Sequence, residues 1–298
     1  MALRASSYAR LPTERPNPAT RDIDRRSTLD IVKLINCQDA LVAPAVGRQS
    51  FVIARAADAI ANSLKNAGRV VIVGAGTSGR IGVLEAAECP PTFGTPPSLI
   101  TAVMAGGRSA VFRSKEGAED DETAGARAVA GLSRGDVVIG VAASGITTFV
   151  RSALSSARQR GCVTIFITSN GKPPGRPAQF VIAPVVGPEV VAGSTRLKSG
   201  TAAKLVLNTL TTTAMIRLGK VYDHWMVDLK PTNRKLRLRS VRMLCDLARV
   251  SAARAETLLK SSGGSVKVAV LMARKEMTAA QAKKLLSVRN DSLREALG

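Results

Sequence analysis

The sequence predicts an α/β fold, a doubly wound and mostly parallel five-stranded sheet followed by a small C-terminal helical domain. Five short apolar runs, at 69–74, 99–105, 136–143, 162–168 and 180–186, are rich in β-branched residues and nearly unbroken by charge. Strands of that kind are buried on both faces, as in a parallel sheet covered by helices. The stretches between them carry helical spacing, for example Phe149, Val150, Ala153, Leu154 and Ala157, so right-handed β-α-β crossovers follow. Past Pro231 the texture changes to short helical segments joined by turn residues.

In chain order, residues 1–20 are polar, with Pro12, Pro16 and Pro18, and read as an extended arm. Ser27-Thr28-Leu29-Asp30 opens a short helix through Asn36, with Ser27 placed to cap it and Asp30 to reach back. Val52, Ile53, Ala56, Ile60 and Leu64 recur at helical spacing, and Gly68 ends that helix. The alternating strands and helices follow. A long helix is expected from about Leu197 to Leu218, almost free of charge over 205–216, hence in a core or a subunit interface. Helical segments at 234–249, 251–260, 266–275 and 279–288 form the appendage, with Thr278 capping and Gln281 three residues on. The expected domains are an arm and short helix at 1–45, a catalytic domain at 46–230 and a helical domain at 231–298.

Composition narrows the function. Hydrophobic residues make up 45% of the 298, enough for a buried core, and aromatics only 3%. Four scattered cysteines without CxxC spacing and a single histidine, His224, argue against a zinc site or a Cys/His nucleophile. No apolar run approaches the ~18–20 residues that span a bilayer, and the arginine-bearing start lacks the apolar stretch of a secretory signal. A cytoplasmic protein is expected. Its net charge of +21 is read as a field attracting small anions or as a surface bias. The basic residues are spread along the whole chain with no aromatic–basic stripe, which weighs against nucleic acid.

Three loops carry the candidate chemistry. Gly74-Ala75-Gly76-Thr77-Ser78-Gly79-Arg80 follows a strand and opens a helix. Glycines there admit a ligand to the backbone, and helix-start amides with hydroxyls bind phosphate. It lacks the Gly-Lys-Ser/Thr ending of a Walker A loop, and no acidic residue closes the next strand to hold a ribose. Ala142-Ala143-Ser144-Gly145-Ile146-Thr147-Thr148 and Gly193-Ser194-Thr195-Arg196-Leu197-Lys198 repeat the pattern. One such loop could be a helix cap; three converging where open α/β sheets bind ligands point to an anion pocket.

Two carboxylate settings stand out. Glu88 is read as ending the first loop's helix, because Cys89-Pro90-Pro91 follow it. There the dipole would favour the protonated form, as a general acid needs; the alternative is an ordinary exposed glutamate. Glu119 lies in an acidic knot at 116–122, where like charges raise one another's pKa values; the alternative is a solvated helix start. His224, beside Trp225, reads as a packed structural residue.

Together these segments resemble the N-acetylmuramic acid 6-phosphate etherases. The resemblance rests on 13–18 (Thr13-Glu14-Arg15-Pro16-Asn17-Pro18), on 74–80 through Glu88-Cys89-Pro90-Pro91-Thr92-Phe93-Gly94, and on Glu116-Gly117-Ala118-Glu119-Asp120. It continues in Ala142-Ala143-Ser144-Gly145, Gly193-Ser194-Thr195-Arg196-Leu197-Lys198, Met226-Val227-Asp228 and Thr232-Asn233-Arg234. It implies a sugar-isomerase (SIS) domain, a homodimer with its active site near the subunit interface, and no metal or redox cofactor. The implied reaction, part of cell-wall amino sugar recycling, cleaves the D-lactyl ether of N-acetylmuramic acid 6-phosphate. Glu88 matches the family's acid and Glu119 its second catalytic glutamate. Thr77, Ser78, Gly79, Ser144, Gly145, Thr147, Ser194, Thr195 and Lys198 are the expected substrate-binding residues. Where the family commonly has an arginine after the second loop's Ser-Gly, this chain has Ile146. The alternative reading is a non-catalytic phosphosugar sensor of the glucokinase regulatory protein type.

Overall fold

The computed structural model describes residues 9, 11–231 and 233–298; Arg4 and Arg10 of the arm and Thr232 of the resemblance lie outside them. The first helices are α1 (Thr28–Asp39), α2 (Val42–Gly47) and α3 (Ser50–Lys65). The sheet region then alternates β1 (Val70–Gly74), α4 (Gly76–Phe93), β2 (Ile100–Met104), α5 (Glu122–Arg127), β3 (Val137–Val141), α6 (Thr148–Gln159), β4 (Val163–Ile167) and β5 (Phe180–Ile182). After them come α7 (Lys198–Arg217) and a hairpin of β6 (Val221–Tyr222) and β7 (Trp225–Met226). The chain ends with α8 (Arg234–Ala248), α9 (Ala252–Ser261), α10 (Val266–Arg274), α11 (Ala279–Val288) and α12 (Leu293–Leu297). By internal contacts it divides into two compact units. One runs to Ala87 and takes in Ser98–Thr211; the other holds Glu88–Pro97 and Thr212–Gly298.

In the first unit the five predicted runs form one parallel sheet in the order β2-β1-β3-β4-β5. Val70 lies opposite Ile100 on one side and Val137 on the other. Val71, Val73, Val138 and Phe166 pack in one core with Phe149, Val150, Ala153, Leu154 and Ala157, the predicted stripe of α6. On the opposite face α4 lies so close that a Cβ on Gly82 would sit 2.8 Å from Cγ2 of Ile72. Helices thus cover both faces, so each strand buries alternate residues in opposite directions and shows no polar alternation. The strand order reverses between β1 and β3, and open α/β sheets bind ligands at such a switch, beyond the strands' carboxyl ends.

Several expectations need correction. Pro90 and Pro91 do not stop α4, which runs on to Phe93. Each proline removes a helical hydrogen bond at a cost of about 3 kcal/mol or more. Offsetting this, Cys89 and Phe93, one turn apart, are both buried, and the Gly94 amide donates to the Pro90 carbonyl at 2.9 Å. Glu88 is therefore not in the helix's last turn, the only place where the dipole acts strongly. The described part of the arm is not extended: it turns at Leu11–Glu14 and forms a short 3-10 helix, Pro18–Thr20. Thr13 is fully buried, and the Asn17 amide donates to Gln38 Oε1 (2.8 Å) and to the Pro188 carbonyl (3.2 Å). Past α3 the left-handed residue is Ala67 (φ +62°), not Gly68.

Ser27 caps α1 as expected, though the helix reaches Asp39. In the second unit Thr278 and Gln281 form the expected capping box on α11. Val227, Leu229, Met243, Leu244, Leu258 and Leu271 belong to that unit's core. The β6–β7 hairpin was not anticipated; its two-residue strands are too short for a period to register. His224, in its turn, lies 2.9 Å from Asp223 and keeps the expected ring contact with Trp225, centroids 4.9 Å apart, but it is 71% exposed rather than buried. Among the described residues no helix is long and apolar enough to cross a membrane.

Candidate active site

The loops that follow β1 and β3 open side by side at the switch point. The first is made tight by two facing glycines. A Cβ on Gly79 would lie 2.8 Å from the Gly74 carbonyl oxygen, and one on Gly74 would lie 2.7 Å from the Gly79 amide nitrogen. Only hydrogen at both positions lets α4 start this close to the strand it leaves. Thr77 and Ser78 in its first turn consequently face the cleft. In the second loop Gly145 takes φ +81°, a left-handed turn closed by its amide on the Ala142 carbonyl at 3.0 Å. Thr168 Oγ1 and Asn170 Nδ2 fasten the loop from behind, donating to the Ala143 and Ser144 carbonyls at 3.1 and 3.2 Å. Thr147 occupies the cap position of α6 but makes no side-chain capping bond, so its hydroxyl stays available toward the cleft.

The cleft has a volume of about 1000 Å³. Of the residues singled out from sequence, Thr77, Ser78, Ser144, Thr147, Thr195 and Glu119 line it. Glu119 is exposed on a 3-10 turn, Ala118–Asp120, between the left-handed Gly117 and Asp121, which caps α5 through the Ala124 amide at 2.7 Å. Gly79 and Gly145 do not line it; they shape the turns behind the lining. Ser194 and Lys198 do not line it either. The first amides of α7, those of Lys198 and Ser199, donate to the buried carboxylate of Glu189 at 2.9 Å each, so that helix start is occupied from within the chain. The Lys198 amine is buried and donates to Gln38 Oε1 at 2.9 Å. Burial pulls its pKa below the usual lysine value, and the charges of Glu189 and Asp39 offset only part of that.

Glu88 is exposed and is not among the cleft's lining residues. One turn earlier on α4, Glu85 is buried and accepts hydrogen bonds from Asn208 Nδ2 and Thr211 Oγ1 of α7. The uncharged stretch of α7 thus carries two polar groups that hold a buried carboxylate. Sequence reading missed Pro174 and, among polar lining residues, Glu14 from the arm, and Arg151, Ser152 and Ser155 from α6. The last three sit on the helix at the complement of its apolar stripe, so a helical wheel of 148–159 would have found them. Glu14 arrives through the hydrogen bond from the Gly193 amide to the Thr13 carbonyl, at 3.1 Å. No local pattern announces a contact that distant in sequence.

Chemically, the cleft offers hydroxyls and helix-start amides for an oxyanion, and exposed carboxylates at its rim for proton transfer. The chain is similar to several known proteins. Residues 52–158 match the family model for the glucokinase regulatory protein N-terminal SIS domain. A protein from Rhodopirellula baltica named N-acetylmuramic acid 6-phosphate etherase is 50% identical over 279 residues, 93% of this chain and 92% of its own length. The Salmonella typhi protein of the same name is 48% identical over 290 residues, 96% of this chain and 98% of its own. Among solved structures, a phosphoheptose isomerase from Francisella tularensis aligns at a TM-score of 0.46 and 18% identity, covering 63% of this chain and 98% of that one.

Proposed function

Because the chain belongs to the N-acetylmuramic acid 6-phosphate etherase family, we propose that it cleaves the D-lactyl ether of N-acetylmuramic acid 6-phosphate. The products are N-acetylglucosamine 6-phosphate and D-lactate. The observation that carries this reading is the cleft at the switch point, where Thr77, Ser78, Ser144 and Thr147 line one wall system and Glu119 stands at the rim. Ring opening exposes an aldehyde and makes the C2 proton acidic. Glu119 takes that proton, the electron pair forms the C2–C3 double bond, and the C3–oxygen bond breaks. Glu88 gives its proton to the departing lactate oxygen. Water then adds at C3, losing a proton to Glu88, and C2 is reprotonated. Glu88's part is drawn from the family resemblance alone.

The remaining features of the proposal are a cytoplasmic homodimer that recycles cell-wall amino sugars. Support for the dimer comes from α1, a twelve-residue helix with no buried residue, on which Leu29 is 61% and Val32 49% exposed. A second copy of the chain covering that helix would remove this apolar surface from water. The match to the glucokinase regulatory protein domain model over 52–158 favours the other reading, a phosphosugar sensor. Incubation with N-acetylmuramic acid 6-phosphate separates the two. Release of D-lactate, with label from heavy-oxygen water at C3, is expected; a folded sample that releases none overturns the etherase reading and leaves the sensor.

A further inference from the structure

The cleft's charge is out of balance with its proposed ligand. Glu14, Glu119, Asp120 and Glu122 all line it, whereas Arg151 is the one cation among its described lining residues. A sugar phosphate brings about −1.5 to −2 further charge near neutral pH. Hydroxyls and backbone amides can hold such a group by hydrogen bonds, but they do not cancel its charge.

Arg151 is built for that task. It lies one turn into α6, and its guanidinium spans two loops, donating to the Gly145 carbonyl at 3.3 Å and to the Pro174 carbonyl at 3.1 Å. Both partners are neutral, and among the described residues Arg151 makes no ion pair. No described carboxylate therefore stands within 4 Å of it, and the guanidinium is not tied up in a direct ion pair. A guanidinium has five N–H donors, so three remain after those two bonds. The carbonyl bonds fix the fork beside Ser144 and Thr147, limiting the rotamer freedom that binding would otherwise remove.

We propose that Arg151 is the phosphate-charge-neutralising residue of this cleft, an inference that rests on the phosphosugar reading above and goes beyond it in assigning the cation. Ile146 lines the same wall, so a guanidinium moved to that position would face the same ligand. The test is binding of N-acetylglucosamine 6-phosphate, which has the phosphate but no lactyl carboxylate, measured by calorimetry. Arg151→Gln keeps amide donors for the two carbonyls and drops the charge. Its affinity should fall about 10- to 100-fold, the range for hydrogen bonds to a charged group. Arg151→Lys should recover part of the loss, and Ile146→Arg added to Arg151→Gln should recover most of it. In turnover of the wild-type substrate, KM should rise far more than kcat falls. Unchanged affinity in Arg151→Gln overturns the proposal. So does a loss confined to non-phosphorylated N-acetylmuramic acid, which would assign the guanidinium to the carboxylate. If the wild type releases no lactate yet its phosphosugar affinity still depends on Arg151, the etherase reading fails and this inference stands.

Discussion

Glu119 and Glu88 differ in setting before they differ in proposed role. Glu119 sits on a short 3-10 turn at the mouth of the cleft. Glu88 lies on α4 beyond the point where the chain leaves the sheet unit. Under the proposed chemistry, Glu119→Gln should lower exchange of the C2 proton by about 10²- to 10⁴-fold, the usual contribution of a positioned base. Glu88→Gln should stop lactate release while leaving that exchange, followed by proton NMR in heavy water; both variants at full activity would refute the assignment. At the same scale, the second unit turns on one buried amine. Lys267 donates to Asp228 Oδ2 at 2.8 Å, Asp291 Oδ2 at 3.0 Å and the Asp291 carbonyl at 2.6 Å. Lys267→Met should cost about 1.5–3 kcal/mol in urea unfolding, the loss of hydrogen bonds to charged groups. A fully buried pair would lose more, but Lys220 still reaches Asp228 at 2.8 Å. Burial alone would lower the Lys220 pKa; its hydrogen bonds and attraction to Asp228 and Asp291 outweigh that and raise it above the ordinary 10.5. The folded state therefore holds this proton more tightly than the unfolded one. The stabilisation is full below pH 10.5 and disappears as pH rises through the folded value. The gap in urea midpoint between wild type and Lys220→Met should accordingly be constant near neutrality and close in alkali.

Among the elements, α4 binds fold and site most directly. Its start is set by Gly74 and Gly79, where a Cβ on either would come within 2.7–2.8 Å of the other's backbone. Gly79→Ala would place a carbon 2.8 Å from both the Gly74 carbonyl oxygen and Met104 Cγ. The methionine can move, but the strand backbone cannot, so the expected cost is about 1–3 kcal/mol for overpacking. Because the shift displaces Thr77 and Ser78, phosphosugar affinity should drop with it. Thermal unfolding and calorimetry on one sample check both effects; an unchanged melting temperature would show that the contact is relaxed elsewhere. The far end of α4 shows the opposite balance, where burial of Cys89 and Phe93 keeps two prolines inside a helix.

For the whole molecule, the proposed dimer rests on α1. A helix of twelve residues gains its stability mainly from packing its apolar face, and this one buries no residue within the chain. Val32→Asp should therefore be neutral or nearly so for a protomer yet shift a dimer toward monomer, read by light scattering after size exclusion. A monomeric wild type would refute the dimer. The net charge of +21 would favour encounter with the anionic substrate proposed above, although four acids line the cleft itself.

Much of this was determined by the sequence alone. The five strands, their parallel order of burial and the stripe of α6 are consequences of local pattern, because a strand covered on both faces must be apolar throughout. The loops after β1 and β3 were legible because glycines and hydroxyls recur there at strand ends, whereas of the third loop's expected residues only Thr195 lines the cleft; Glu119 stood out through its acidic knot and the family resemblance. Tertiary structure decided what depends on groups far apart in the chain. It carried α4 through Pro90 and Pro91 because buried side chains outweighed lost hydrogen bonds. It assigned Lys198 to Gln38, and the α7 helix start to Glu189, rather than to the cleft. It also brought Glu14 and Arg151 to the lining, since a side chain's address follows from packing and long-range hydrogen bonds, which no local period encodes.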